Sequence, residues 1–165
     1  MKTCISAVSA WLLAGVAYSA SPEPPLVEAT IGTKLPAKYL GQNNNVRAFT
    51  ITRVPILHPT LQAELHDVNL FSDSGTGILA GFRGDRAMQN QGACRSAAAR
   101  VDAILRTQFP IAYKGNDPKY QHQSKTGDIV AGVRCSMVDG VDTLTLEVTN
   151  PTLEDRLMRK ARNER

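Results

Sequence analysis

The chain has 165 residues and a formal net charge of +4, and only 5% of its residues are Phe, Trp or Tyr. This length fits one domain with an appendage. The mild positive excess and the scarcity of aromatic residues argue against a nucleic-acid-binding protein, which needs a concentrated basic face with stacking rings.

Residues 1–19 have the pattern of a secretory signal peptide. Lys2 precedes an apolar run around Trp11, and Ala17-Tyr18-Ser19 fits the small-x-small cleavage pattern. The apolar run is too short to span a bilayer. We therefore expect an exported protein, periplasmic or extracellular, with no membrane span and a mature chain that begins near Ala20.

Residues 20–45 are rich in proline and asparagine and show no sustained hydrophobic period. This composition predicts a linker or a loosely attached arm. Residues 46–165 would then form a single domain.

The first part of this domain predicts strands. Residues 46–54 alternate and are rich in β-branched side chains, which indicates one strand closed by Pro55. Residues 61–71 fit either a helix or a strand; we favour a strand over their second half, with a bulge at His66-Asp67. A turn at residues 72–75 would lead into a returning strand over residues 77–82.

A principal helix follows. From Cys94 to Leu105 the apolar residues recur with the spacing of one helical face. Pro110 predicts that the helix ends before it. Its start is open, because either Asn90 caps a shorter helix or Asp85 caps a longer one.

Residues 129–149 predict a β-hairpin. Apolar and polar residues alternate on both sides of Asp139-Gly140, a pair that favours a two-residue turn. This turn places Cys135 opposite Leu144 and Val133 opposite Leu146, so the turn and the alternation select the same register.

The two cysteines of the mature chain are predicted to form a disulfide. Cys4 leaves with the signal peptide, Cys94 lies on the apolar face of the helix, and Cys135 lies on the apolar face of the hairpin. An even pair in an oxidising compartment indicates one bridge.

A short C-terminal helix is predicted after Asn150-Pro151, with asparagine as its cap and proline at its first position. The fold class is therefore α+β: a small antiparallel sheet of about five strands, one principal helix packed on it, a helix–sheet disulfide and this terminal helix.

Two segments are candidate contact surfaces. The long connection over residues 111–127 is a candidate binding loop, because such a length usually has a functional reason; its side chains of interest are Tyr113, Lys114, Tyr120, His122 and Lys125. The terminal helix carries a basic cluster that could contact an anionic partner, formed by Arg156, Arg159, Lys160 and Arg162.

Catalytic and cofactor sites find little support. The three histidines lack metal-ligand spacing, so we expect no metal site. Residues 75–80 fit a loose dinucleotide fingerprint but lack its helix and its acidic residue, so we expect no cofactor. A hydrolase would have to combine His66 with Asp67 or Asp73.

The leading hypothesis is therefore a non-catalytic exported module that binds another protein or an envelope component, such as an inhibitor or immunity-type protein. Two alternatives stay open: a small hydrolase of an envelope polymer that uses His66, and a cationic surface-associating protein that uses the C-terminal helix.

Overall fold

The structure, a computed structural model, describes residues 24–39, 44–46, 48–112 and 122–163. These residues form one antiparallel sheet with a principal helix packed on one face, which confirms the α+β prediction. The helices are α1 (Pro59–Leu65), α2 (Gln91–Gln108) and α3 (Pro151–Asn163). The strands are β1 (Asn44–Val46), β2 (Phe49–Pro55), β3 (Asp67–Asp73), β4 (Leu79–Ala87), β5 (Ile111–Ala112), β6 (His122–Thr126), β7 (Ile129–Val138) and β8 (Val141–Thr149).

Within the described ranges the sheet has eight strands in the order β1-β2-β3-β4-β8-β7-β6-β5. The five long strands, β2, β3, β4, β7 and β8, agree with the predicted number. The other three are short and extend the two edges. Pairing of β4 with β8 joins the N-terminal half of the sheet to the C-terminal hairpin.

The predicted hairpin and disulfide are both present. Cys135 pairs with Leu144 and Val133 pairs with Leu146. The disulfide between Cys94 and Cys135 joins α2 to β7, with 5.9 Å between the two Cα atoms. Both residues of the Asp139-Gly140 turn have positive φ, at 50° and 80°, as this type of turn requires.

The structure decides the open start of α2 in favour of Asn90. The Asn90 side chain accepts a hydrogen bond from the N–H of Ala93 at 2.9 Å, whereas Asp85 lies inside β4. The helix ends at Gln108, two residues before Pro110. Its buried face consists of Cys94, Ala97, Ala98, Val101 and Leu105.

The prediction of one strand over residues 46–54 is confirmed for residues 49–54, which lie in β2, and is wrong at Val46, which belongs to β1. Val46 ends β1 and pairs with Phe49 at the start of β2, so the chain reverses between them. The intervening residues, Arg47 and Ala48, are not among those that usually mark a tight turn. The alternation of apolar and polar residues therefore continues through a chain reversal that no typical turn residue marks.

The segment over residues 61–71, which fits either a helix or a strand, divides into both. Its first half forms α1, which has Pro59 at its N-terminus and buries Leu61 and Leu65. Its second half forms β3, as favoured. The expected bulge at His66-Asp67 is instead the helix-to-strand junction, where His66 has φ 64°. An irregularity in the sheet does occur in β3, between Phe71 and Ser72.

The described part of the proline-rich arm is packed rather than loose. Leu26, Val27 and Leu35 are buried in the hydrophobic core. The Leu57 N–H donates to the Leu26 carbonyl at 2.9 Å, and the Leu35 N–H donates to the Gly77 carbonyl at 2.9 Å. Residues 24–39 therefore complete the core of the domain; the predicted signal peptide lies outside the described residues.

The sheet has an inner face, covered by α2, and an outer face on its opposite side. Apolar side chains of the long strands fill the inner face, among them Val68, Leu70, Val133 and Leu146. None of the helices in the described ranges is both long and apolar enough to cross a membrane.

Candidate binding groove

Strand β2 buries two polar side chains in the core and directs two apolar side chains outwards, the reverse of the usual arrangement. Thr50 and Thr52 are buried, and Thr52 has no exposed surface; its hydroxyl donates to the Tyr39 carbonyl at 3.4 Å, as a buried hydroxyl requires. Phe49 and Ile51 point to the outer face and are half-buried. Val54 has the same parity as the threonines and is buried, so the pairing of the whole strand sets this orientation.

The outward side chains continue across the sheet as one row. Ile51 pairs with Phe71, Phe71 pairs with Gly81, and Gly81 pairs with Thr149. Residues directly opposite each other in paired strands lie on the same face. Gly81 has no side chain to interrupt the row, and a Cβ atom at this position would lie only 2.6 Å from the Val148 carbonyl oxygen.

Helix α3 forms the wall of a groove above this row. The side chain of Asn150 caps the helix by accepting hydrogen bonds from the N–H groups of Thr152 and Leu153, both at 3.1 Å, as predicted. Leu157 is buried, while Met158 is 48% exposed. The groove has a volume of about 240 Å³ and is lined by Phe49, Ile51, Phe71, Ala80, Gly81, Phe82, Arg83, Glu147, Val148, Thr149, Glu154 and Met158.

The polar side of this outer-face groove is held in place by hydrogen bonds. Arg83 donates from Nε and Nη2 to the two carboxylate oxygens of Asp85, at 2.8 and 3.0 Å. The buried hydroxyl of Thr145 donates to the same carboxylate at 2.7 Å. The Thr149 hydroxyl donates to Glu154 Oε2 at 2.9 Å and so attaches the first turn of α3 to β8.

The predicted binding loop is only partly described. Tyr113, Lys114 and Tyr120 lie outside the described residues. His122 and Lys125 belong to β6, where they pair with Val133 and Val130. The connection is therefore shorter than the predicted residues 111–127, because residues 111–112 and 122–126 form strands; its role in binding stays a prediction.

Most side chains of the predicted basic cluster on α3 contact other groups of the same chain. Arg159 pairs with Asp155 one turn away, and this contact lowers the pKa of Asp155. Lys160 Nζ lies 3.4 Å from Asp73. Arg162 Nε donates to the Met158 carbonyl, and Arg156 is exposed. An anionic contact through this cluster stays a prediction.

Of the hydrolase candidates, His66 and Asp73 do not meet, because Asp73 stands at the far end of β3 from His66, about 20 Å away at the usual rise per residue. The other pairing, His66 with Asp67, joins two neighbours in the chain. His66 is exposed beside Asp67, and that carboxylate accepts from Arg53 at 2.6 Å. The groove lining includes none of these three candidates. In the part of the chain that the structure describes, no cluster of His, Cys, Asp or Glu could hold a metal ion.

Sequence reasoning missed the groove. The outward position of Phe49 and Ile51 depends on the parity of β2, and the role of Met158 depends on where α3 lies; neither has a local signal. Comparisons with protein-family models, with characterised proteins and with solved structures find no match to this chain.

Proposed function

We propose that this chain is an exported, non-catalytic module that binds another protein through the outer-face groove. The observation that carries the proposal is the inverted orientation of β2, which buries two threonines and turns Phe49 and Ile51 towards solvent. Apolar side chains gathered on an exposed surface, rather than scattered singly, are typical of interaction sites.

The groove has the form of a small recognition site. It is lined mainly by apolar side chains, together with the polar side chains of Arg83, Glu147 and Glu154. Binding sites usually combine such an apolar interior with a few placed polar groups. In protein interfaces, a central pocket of this kind accepts an anchor side chain that supplies much of the binding energy.

The rigidity of the site and the presence of a disulfide support the same proposal. Gly81 and Thr149 lie on paired central strands, and the disulfide fixes α2 to the same sheet. A site on rigid elements loses little entropy when it binds. A structural disulfide is typical of exported proteins. An inhibitor or immunity-type protein, in the periplasm or outside the cell, is one form that such a module takes.

A site-specific photocross-linker tests the proposal. It replaces Met158 at the groove in one variant and Met137 at the exposed tip of the β7–β8 hairpin in a matched variant, and both are irradiated in extract of the native cell envelope. We expect one partner protein to be cross-linked at position 158 and not at position 137. Cross-linking at position 137 alone, or at neither position, would refute the groove.

A substitution in the groove provides the second readout. Phe71→Ser should reduce capture of the cross-linked partner by about tenfold or more, the effect expected for an anchor contact. Val138→Ser removes an apolar side chain that is 46% exposed at the hairpin tip and should leave capture unchanged. Circular dichroism confirms that both variants are folded. Equal capture by the two variants would refute the proposal.

A further inference from the structure

Helix α3 is attached to the outer face of the sheet by few apolar contacts. It has 13 residues, and Leu157 is the only one of them whose side chain is buried in the part of the chain that the structure describes. A helix of this length is only marginally stable by itself in water. The position of α3 therefore depends on how well it packs against the sheet.

Cavities lie on both sides of the Leu157 side chain. The outer-face groove, of about 240 Å³, is lined on the helix by Glu154 and Met158. A second cavity, of about 130 Å³, is lined by Leu153 and Arg156 as well as by Leu157. Side chains that border empty space lose packing contacts. Helix α3 is therefore packed less closely than α2, which buries five side chains.

The polar contacts of α3 hold its first turn more firmly than its last. At the first turn, the Thr149 hydroxyl donates to Glu154 at 2.9 Å, and the Asn150 N–H donates to a carbonyl of β4 at 2.8 Å. At the last turn, Lys160 Nζ lies 3.4 Å from Asp73, and the lysine side chain is 41% exposed. Exposed ion pairs stabilise little, so Asn150 is the natural pivot of the helix.

We propose that α3 is a hinged lid of the outer-face groove, which swings away from the sheet about Asn150 while the sheet and α2 stay folded. Opening joins the groove to the second cavity and uncovers more of Phe49, Ile51 and Phe71. The closed groove is smaller than the roughly 300 Å³ at which sites for drug-sized ligands begin, so opening lets a polypeptide segment enter. This inference rests on the proposed function and specifies how the partner gains access.

Amide hydrogen exchange, followed by mass spectrometry on the full-length chain, measures the opening of α3 and of α2 separately. In the wild type we expect the amides of α3 to be about a hundredfold less protected than those of α2, because they exchange by local opening. Low concentrations of urea should accelerate exchange in α2 more steeply than in α3, since local opening exposes less surface than global unfolding.

Leu105→Ala separates local from global opening. Leu105 is buried on the inner face of α2, so its removal destabilises the core equally whether the lid is closed or open. Exchange in α2 should become about a hundredfold faster, while exchange in α3 should change by about twofold or less. If Leu105→Ala does not fold, the urea dependence of the wild type makes the same distinction.

Leu157→Ala loosens the lid itself. It should accelerate exchange in α3 by about tenfold or more, as expected for a buried leucine. Met158→Ala is the matched control, because Met158 is the next residue and its side chain is 48% exposed; it should accelerate exchange in α3 by about threefold or less. Equal effects of the two substitutions would overturn the proposal.

A photocross-linker at position 71, in the floor of the groove, tests the role of the lid in access. In extract of the native cell envelope, Leu157→Ala should raise the initial rate of partner capture by about the same factor as exchange in α3, because access follows the open fraction. An unchanged or lower rate would show that the closed groove binds the partner, and would overturn the proposal.

The outcomes separate the lid from the proposed function. Exchange in α3 that matches α2, or that accelerates equally in Leu105→Ala, overturns the lid and leaves the groove as a fixed site. Absence of capture at positions 71 and 158 refutes the proposed function and, with it, the role of the lid, whereas exchange in α3 is measured without a partner.

Discussion

Asp73 is the residue at which the end of β3 meets α3. Its carboxylate accepts hydrogen bonds from the backbone N–H groups of Gly75 and Thr76, both at 2.8 Å, and lies 3.4 Å from Lys160 Nζ. Burial alone would raise the pKa of Asp73, but these two N–H groups and the Lys160 ammonium outweigh it, so the pKa is lowered. Asp73 should therefore stabilise the protein only while it is ionised.

The expected test is the pH dependence of Asp73→Asn. Because the folded-state pKa is lowered, the stabilisation is complete above the unfolded-state pKa of about 3.9 and is lost as the pH falls through the folded-state value. The wild type should be more stable than Asp73→Asn in urea unfolding at pH 7, and the difference should shrink below about pH 4.

Asp128→Asn is the matched control, because Asp128 is exposed in the turn before β7. It should leave urea unfolding within about 0.5 kcal/mol of the wild type at pH 7. A difference between wild type and Asp73→Asn that stays constant from pH 7 to pH 2 would contradict the assignment to Asp73 ionisation.

At the scale of elements, the β7–β8 hairpin and α2 are connected by the disulfide. Cys94 is fully buried on the inner face of α2, and Cys135 stands opposite Leu144 in the hairpin. The bridge closes a sequence separation of 41 residues, which includes the residues of the predicted binding loop. The disulfide should therefore restrict the unfolded chain considerably.

Replacing both cysteines by alanine tests this contribution. In the chain-entropy model a loop of this length stabilises by about 4 kcal/mol, so Cys94→Ala/Cys135→Ala should lose about 3–4 kcal/mol in urea unfolding. Wild-type protein unfolded with a reductant should show a similar loss. A loss below about 1 kcal/mol in both would indicate that the bridge restricts little.

At the scale of the whole molecule, the described part of the proline-rich arm, residues 24–39, completes the hydrophobic core. Leu35 is buried and its N–H donates to Gly77, while Leu26 and Val27 pack into the same core. The domain therefore extends N-terminally beyond the sheet, to include a segment that lacks regular secondary structure over most of its length.

Leu35→Ala should destabilise the protein by about 3 kcal/mol, as expected for a leucine removed from a packed core. Leu57→Ala, at a position that is 41% exposed, should cost less than about 1 kcal/mol. Urea unfolding at pH 7 measures both. Equal costs would show that the arm does not belong to the core.

Local signals account for the parts of the fold that the sequence predicts correctly. Asp139-Gly140 determines the hairpin turn, Asn90 and Asn150 cap their helices, and the alternation around Cys135 determines which way it points. Each signal depends on neighbours within a few residues. The reversal between Val46 and Phe49 was missed because it carries no such signal.

What the sequence by itself determined is thus the hairpin with its register, the start of the terminal helix and the cysteine pair. Only the tertiary structure decided that Phe49 and Ile51 face outwards, that Met158 lies beside them, and that the arm enters the core. The physical reason is that strand parity and helix placement depend on how distant segments pair. A one-residue change of register in β2 would turn Phe49 and Ile51 inwards and abolish the groove.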